Sequence, residues 1–159
     1  MIDGVRIKEL KVWPDRVDPG ERVTTPGFLM EVLRADEGLL QRFGQSTMTL
    51  TYPGTVKAFH WHRHQDDLWF VATGKARIVL HDLREDSPTH GQTQTILAGE
   101  GNYNLVVIPV GVAHGYKVIG DQPVVLIYYT TEPYDRLRPD EERMPADDPA
   151  IGFDWDRAS

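Results

Sequence analysis

Hydrophobic residues recur along the chain in short runs, many of them β-branched or alternating with polar residues. The runs are VRIKELKV (5–12), FLMEVLR (28–34), QSTMTLT (45–51), VKAFHWH (56–62), DLWFVA (67–72), ARIVLHD (76–82), TQTILA (93–98), NLVVIPV (104–110), AHGYKVI (113–119) and VVLIYYT (124–130). Turn-forming residues separate many of them, for example Asp18-Pro19-Gly20, Pro53-Gly54 and Gly120-Asp121. Short strands at this spacing are typical of an all-β sandwich or barrel and not of alternating β and α units.

Two segments depart from this strand pattern. RADEGLLQRF (34–43) predicts a short peripheral helix, because Asp36 can cap its first turn and its apolar side chains share one face. From Thr131 onward the chain is polar and rich in proline, although it contains Phe153 and Trp155. We expect these two aromatic residues to anchor an ordered C-terminal segment to the main body, without forming a second domain.

The length and composition suit one folded domain that covers residues 1–159. The 17 Lys and Arg residues are outnumbered by 24 Asp and Glu residues and form no basic cluster, which argues against nucleic acid as a partner. The absence of cysteine excludes disulfides, thiolate zinc sites and cysteine nucleophiles. No apolar run approaches the roughly 20 residues that span a bilayer, and the N-terminus does not have the pattern of a signal peptide. We therefore expect a soluble cytoplasmic protein with no membrane partner.

Histidine is sparse, yet three of the six histidines occupy His60-Trp61-His62-Arg63-His64. Residues two apart on a strand project from the same face, so His60 and His62, and His64 if the strand continues, should point together. They could form a polar outer face or line a polar interior site. Because histidine is intermediate in its tendency to be buried, this pattern alone leaves both interpretations open.

The spacing of residues around these histidines is more informative. A set of glycines, histidines and one acid is placed at fixed intervals, namely Gly54, His60, His62, Asp67 and Gly74. This set resembles the first motif of the cupin superfamily, G-x5-H-x-H-x(3–4)-E-x6-G, with aspartate where the family has glutamate. Residues 109–114 (PVGVAH) resemble part of the second cupin motif. The resemblance implies a jelly-roll β-barrel.

Longer stretches resemble one narrower family. They are VLHDLREDSPTHG (79–91), IPVGVAHGY (108–116) and DDPAIGFDW (147–155), with shorter matches at VKAFHWH (56–62) and FGQ (43–45). All are similar to the dTDP-4-dehydrorhamnose 3,5-epimerase family. The resemblance implies a homodimeric cupin that uses no metal or other cofactor and moves protons beside the ketone of a dTDP-4-keto-6-deoxyhexose.

The same resemblance implies roles for individual residues. His60 aligns with the catalytic base, Tyr128 with the general acid, and Lys57 and His114 with groups that polarise the ketone. The residues expected to bind substrate are Gln45, Glu31, Thr47, Tyr134, Asp67 and His62. A histidine near neutral pKa can remove a proton beside a ketone, a tyrosine on the other face can return one, and the enolate formed between them needs a positive or hydrogen-bonding group.

Several positions differ from this family's pattern. Lys57 replaces an arginine and keeps the charge, Asp67 replaces a lysine and reverses it, and Pro26 replaces an arginine that contacts the diphosphate. We therefore expect weaker nucleotide binding. The chain also reaches Ser159 before the family's aspartate that orients the base. Either another acid serves His60 or the dyad does not exist.

Two alternative functions follow from these differences. Three histidines and one carboxylate are arranged as the ligands of a cupin metal site, namely His60, His62, Asp67 and His114. Such a set suits one divalent transition metal and a metal-dependent oxygenase, isomerase or lyase. The other alternative is a non-catalytic sugar-binding homologue.

Other polar features are expected to be structural. Asp82 and Arg84 predict an ion pair near a turn. The acidic run at 140–142 is expected to be solvated surface. Trp69 and Phe70 must point to opposite faces of a sheet, and the sequence does not say which of them faces inward.

Overall fold

The computed structural model describes residues 1–20 and 26–157. Its strands are β1 (Arg6–Glu9), β2 (Trp13–Pro14), β3 (Phe28–Leu29), β4 (Gln45–Thr51), β5 (Val56–Trp61), β6 (Asp67–Thr73), β7 (Lys75–Asp82), β8 (Thr93–Gly99), β9 (Asn104–Ile108), β10 (Val112–Ile119), β11 (Val124–Thr130) and β12 (Glu142–Arg143). The expected all-β class is confirmed. No helix in the described part of the chain has the length and apolar character needed to cross a membrane.

The strands form two five-stranded antiparallel sheets and a small β2–β3 pair. Sheet 1 has the order β1-β9-β6-β11-β4, and sheet 2 has the order β12-β5-β10-β7-β8. From β4 to β7 and from β8 to β12, each successive strand lies in the other sheet, so the chain contributes strands to the two sheets alternately. Within residues 1–20 and 26–157, no strand forms hydrogen-bonded pairs with strands of both sheets. The fold is therefore a two-sheet sandwich, and the closed barrel that the resemblance implied is not observed.

The main hydrophobic core lies between the two sheets. Sheet 1 contributes Trp69 and Val106, and sheet 2 contributes Ile78 and Leu80. Each apolar side chain of this size that is removed from water contributes about 1.5–3 kcal/mol. A second cluster on the outer face of sheet 1 includes Phe70, so Trp69 is the member of the Trp69–Phe70 pair that points inward. The two clusters explain why β6 and β9 are apolar on both faces.

The segment predicted as a helix over 34–43 contains only a 3-10 turn, Ala35–Glu37. The turn ends at Gly38, which adopts the left-handed conformation with φ 64°. After this turn, the side chains of Leu39 and Leu40 pack against the outer cluster of sheet 1. The helix prediction was wrong because these leucines contact the sheet from an irregular segment and not from one face of a helix.

The C-terminal segment returns to the edge of sheet 2. β12 pairs with β5, and further along the chain the ring of Trp155 lies 5.4 Å from that of Phe59 and 4.9 Å from that of Phe153. The Trp155 Nε1–H donates to the carbonyl of Ala146 at 2.9 Å. Trp155 and Phe153 thus anchor the segment as the sequence predicted.

The predicted ion pair between Asp82 and Arg84 is confirmed. The Arg84 Nε–H donates to Asp82 Oδ1 at 2.8 Å, and the hydroxyls of Ser87 and Thr89 donate to Oδ2 at 2.6 Å. The Arg84 contact and these hydroxyls hold the pKa of the Asp82 carboxyl far below its usual range, even though its burial acts in the opposite direction. This network fixes the turn that follows β7.

Candidate active site

A cavity of about 390 Å³ opens between the two sheets. Sheet 2 supplies one wall, sheet 1 supplies the other, and residues after Thr131 close one side. Its lining includes Gln45, Thr49, Lys57, His60, His62, Gln65, Asp67, Trp69, His114, Tyr116, Leu126, Tyr128, Thr130, Glu132, Tyr134, Asp140 and Glu141. Eight of the ten residues selected from the sequence therefore share one cavity.

The cavity wall that carries His60 and His114 depends on a close approach of β5 and β10. His114 lies directly opposite His60 in the register of these strands, and a bulge follows it before Tyr116. A Cβ atom on Gly115 would lie 2.3 Å from the Cβ of Ala58. Glycine is required at this position because any side chain would force the strands apart.

His60 faces a carboxylate that belongs to the C-terminal segment. Its Nδ1 lies 2.9 Å from Glu141 Oε1, although the carboxylate is off the direction expected for a ring N–H hydrogen bond. Burial lowers the pKa of the His60 imidazole, and the charge of Glu141 partly opposes this shift. A neutral imidazole at neutral pH is the form that can accept a proton.

Asp67 lies at the floor of the cavity with 3% of its surface exposed. Its carboxylate accepts hydrogen bonds from Gln65 Nε2 at 2.9 Å and from Trp69 Nε1 at 3.2 Å. Its oxygens also lie 3.4 Å from His62 Nε2 and 3.6 Å from His114 Nε2. Burial alone would raise the pKa of the Asp67 carboxyl, but contacts with His62 and His114 outweigh it and lower the pKa. Asp67 is therefore an ionised group inside the sandwich.

The pKa values of the two histidines beside Asp67 are shifted in opposite directions. His62 Nδ1 donates to the carbonyl of Asp140 at 2.5 Å, and its Nε2 faces Asp67. Although burial would lower the pKa of His62, these two acceptors raise it above its usual value. Burial lowers the pKa of His114 to about 4, and its Nδ1–H donates to the carbonyl of Val112 at 2.9 Å. Neutral His114 therefore presents a lone pair at Nε2, while the contacts with Asp67 and the Asp140 carbonyl favour the protonated form of His62.

Three of the four predicted metal ligands lie together. His62, Asp67 and His114 each offer one ligand atom, and all three atoms lie within 4.8 Å of one another. Backbone carbonyls hold both Nδ1 atoms, an arrangement that fixes the direction of metal-ligating histidines. These three residues could hold a divalent transition ion, but His60 does not belong to the group.

Tyr128 projects from the opposite wall. It lies on β11, where its neighbours across the ladder are Thr47 on β4 and Trp69 on β6. Burial raises the pKa of the Tyr128 hydroxyl, with contact to Thr47 acting in the opposite direction. A phenol that is protonated at neutral pH can give a proton to a substrate.

The remaining predicted substrate-binding residues occupy different places. The Oε1 of Gln45 accepts from the backbone N–H of Tyr134 at 2.9 Å, and its Nε2 donates to Thr47 Oγ1 at 2.9 Å. Tyr134 is 57% exposed at the rim, and Thr47 lies behind Tyr128 without lining the cavity. Glu31 is exposed outside the cavity, where its carboxylate contacts the guanidinium of Arg34.

The acidic run at 140–142 was expected to be solvated surface, which is wrong for its first two residues. The Asp140 carboxylate accepts from the backbone N–H groups of residues 63–65 at 2.8 to 3.1 Å, and Glu141 faces His60. Only Glu142, which pairs with Arg63 at the surface, fits the expectation. Nothing in the charge pattern could have identified these contacts, because they depend on the pairing of a two-residue strand with β5.

Comparisons with known proteins show which family the chain resembles. A family model described as dTDP-4-dehydrorhamnose 3,5-epimerase matches residues 2–159. The chain is 50% identical over 155 residues to the spore coat polysaccharide biosynthesis protein SpsL of Bacillus subtilis, a match that covers 98% of this chain and 97% of that protein.

Two solved structures have the same fold. The crystal structure of a dTDP sugar isomerase from Desulfovibrio desulfuricans superposes with a TM-score of 0.85 at 31% identity, covering 99% of this chain and 94% of that one. The dTDP-6-deoxy-D-glucose-3,5-epimerase RmlC from Legionella pneumophila, in complex with dTDP-4-keto-L-rhamnose, gives a TM-score of 0.81 at 29% identity. That match covers 99% of this chain and 81% of the Legionella chain.

Proposed function

Because the chain belongs to the dTDP-4-dehydrorhamnose 3,5-epimerase family, we propose that it is a metal-independent carbohydrate epimerase. Its substrate is a dTDP-4-keto-6-deoxyhexose, and it inverts C3, C5 or both carbons beside the ketone. The observation that carries this proposal is the presence of His60 and Tyr128 on opposite walls of one cavity. Its volume of about 390 Å³ lies within the roughly 300–1,000 Å³ of small-molecule sites.

The reaction begins when neutral His60 removes a proton from the carbon beside the ketone. The electrons of the broken C–H bond form a C=C bond, and the carbonyl oxygen takes the negative charge. The Tyr128 hydroxyl then gives its proton to the opposite face of that carbon, and the carbonyl forms again. The configuration is inverted because removal and return of the proton occur on different faces. Exchange with water restores His60 and Tyr128.

The enolate oxygen needs a positive or hydrogen-bonding partner. Lys57 supplies that charge in our proposal, since it lines the same wall as His60. His62 also lines the cavity, but its Nε2 is directed toward the Asp67 carboxylate. With its Nδ1–H bound to a carbonyl, His114 offers a lone pair, which suits a sugar hydroxyl better than an enolate.

A homodimer forms part of this proposal. β4 is an edge strand of sheet 1. Met48 and Leu50 on its outer face and Tyr52 directly after it are 65%, 48% and 66% exposed. An apolar stripe on an edge strand is a liability unless another surface covers it. We take a second copy of this chain to be the partner, and we expect a cytoplasmic location from the nucleotide-sugar substrate.

The proposal is tested by the configuration of the product. Wild-type protein should convert dTDP-4-keto-6-deoxyglucose into a diastereomer inverted at C3, C5 or both, as read from proton coupling constants by NMR. His60→Asn should leave the substrate unchanged. A wild-type protein that binds the nucleotide sugar without changing its configuration would instead support the non-catalytic, sugar-binding alternative.

A further inference from the structure

Residues 140–144, which we call the strap, run beside β5. Phe59 and Met144 exchange two backbone hydrogen bonds, at 2.8 and 3.0 Å, and Arg143 lies opposite His60 in the register. Three backbone N–H groups after β5 are bound by the carboxylate of Asp140, which lies at the start of the strap. These hydrogen bonds fix the position of the strap relative to His60 and His62.

Glu141 and Glu142 point to different sides of the strap. Glu141 points inward, with Oε1 2.9 Å from His60 Nδ1 and Oε2 3.3 Å from Arg143 Nη2. Glu142 points outward, where its carboxylate accepts from Arg63 Nε at 3.1 Å. Within residues 1–20 and 26–157, Glu141 is the one carboxylate within ion-pair distance of His60.

We propose that Glu141 is the positioning residue for His60, an inference that rests on the proposed function. Its carboxylate fixes the orientation of the imidazole ring and directs Nε2 toward the substrate. After proton transfer it also faces a charged imidazolium, and a charge-assisted contact of this kind is stronger than a neutral one. The poor alignment of the contact in the free protein is common in acid–base sites, where hydrogen bonds often tighten only when substrate is bound.

The role of Glu141 differs from that of the other groups around His60. The titratable and charged groups that surround His60 are Glu141 and Arg143 on the strap, His62 and Lys57 near or on β5, His114 on β10, and Asp67 and Tyr128 on sheet 1. Arg143 and His62 act against protonation of His60, whereas Glu141 favours it. Removing the charge of Glu141 should therefore lower the pKa of His60.

The test substitution is Glu141→Gln, which keeps the shape of the side chain and removes its charge. We expect kcat to fall about 10- to 100-fold, less than the roughly 10²- to 10⁴-fold expected when the base itself is lost. KM should stay within about twofold, and the acid limb of the pH profile of kcat/KM should move to lower pH. Glu141→Asp, which keeps the charge, should restore the position of that limb.

Glu142→Gln is the matched control, because it removes the same charge from the neighbouring residue on the outer side of the strap. It should retain the wild-type kcat and pH profile. A wild-type kcat and acid limb in Glu141→Gln, or an equal shift of the limb in Glu142→Gln, would overturn the inference.

An NMR titration of the His60 ring in substrate-free protein separates this inference from the proposed function. Glu141→Gln should lower the pKa of His60 relative to wild type, and Glu142→Gln should not. If wild-type protein has no epimerase activity but the pKa of His60 is lower in Glu141→Gln, the proposed function is wrong and the contact between Glu141 and His60 is confirmed. If epimerisation is seen but the titrations of wild type and Glu141→Gln coincide, the positioning role fails alone.

Discussion

His60 and Tyr128 project into one cavity from different sheets of the sandwich. His60 lies on β5 of sheet 2 and Tyr128 on β11 of sheet 1. A sugar ring between them presents one face to a neutral imidazole and the other to a phenol. The two sheets thus hold a base and an acid on opposite sides of the substrate, which is the arrangement that inversion requires.

The separation of base and acid predicts that exchange can be uncoupled from inversion. In Tyr128→Phe, His60 can still remove the proton, but no acid remains on the opposite face. The same histidine then returns a proton to the face from which one was removed. We expect solvent deuterium in recovered substrate while formation of the epimer falls about 10²- to 10⁴-fold, the usual effect of losing a general acid. NMR in D₂O measures both quantities.

Equal loss of exchange and inversion in Tyr128→Phe would show that Tyr128 does not act as a separate acid. His64→Gln provides a control, because His64 lies outside the main cavity. That variant should epimerise at the wild-type rate.

Chelation should leave the proposed reaction intact. Epimerisation by His60 and Tyr128 requires no metal, so protein purified without a nickel column and dialysed against EDTA should keep its activity. His62→Asn should reduce the rate less than tenfold, because His62 faces Asp67 and takes no part in the proposed proton transfers. Metal analysis by mass spectrometry accompanies both measurements.

The metal-dependent alternative gives the opposite results. It predicts a stoichiometric ion bound by His62, Asp67 and His114. Activity would then disappear with EDTA and return with a divalent ion, and His62→Asn would lose both metal and activity.

His114 should make the folded protein less stable in weak acid. Its pKa of about 4 lies below the roughly 6.5 of an unfolded histidine. Between these values the unfolded chain binds a proton at this residue and the folded chain does not, so the free energy of unfolding falls as the pH drops. The contribution of this residue reaches about 3 kcal/mol near pH 4. Urea unfolding from pH 7 to pH 4.5 should show a shallower decline for His114→Gln, and an unchanged decline would contradict the low pKa.

The exposed apolar stripe on β4 predicts a dimer, and introducing one charged residue into the stripe should disrupt it. Leu50 lies on the outer face of this edge strand, two residues after Met48 and two before Tyr52, which follows the strand. Leu50→Glu would place a carboxylate in the proposed interface, where burial without a partner is costly. Light scattering should give twice the mass of one chain for wild type and the mass of one chain for Leu50→Glu. A monomeric wild type at micromolar concentration would rule out this dimer.

The strands could be predicted well where a run either alternates or is continuously apolar and β-branched and is separated from its neighbours by turn-forming residues. QSTMTLT and VVLIYYT correspond to β4 (Gln45–Thr51) and β11 (Val124–Thr130) at both ends. The helix prediction failed because periodicity does not reveal that Gly38 ends the turn and that the following leucines pack on a sheet.

The histidine cluster could be found from spacing, but its partners on the C-terminal segment could not. His60 and His62 share a face by the period of a strand, whereas the backbone carbonyl of Asp140 reaches His62 from 78 residues further along the chain. Such a contact depends on the path of an irregular segment, which the hydrophobic pattern does not encode. The same applies to Glu141, whose charge alone suggests a solvated surface.

The role of His60 as the base is tested most directly by solvent-deuterium exchange at C3 and C5 of dTDP-4-keto-6-deoxyglucose, followed by ¹H NMR in D₂O for wild type and His60→Asn. Wild type should replace the proton at one or both carbons. His60→Asn, which removes the titrating nitrogen, should slow this exchange about 10²- to 10⁴-fold. Exchange by His60→Asn at the wild-type rate would contradict the assignment of His60 as the base and of this cavity as the active site.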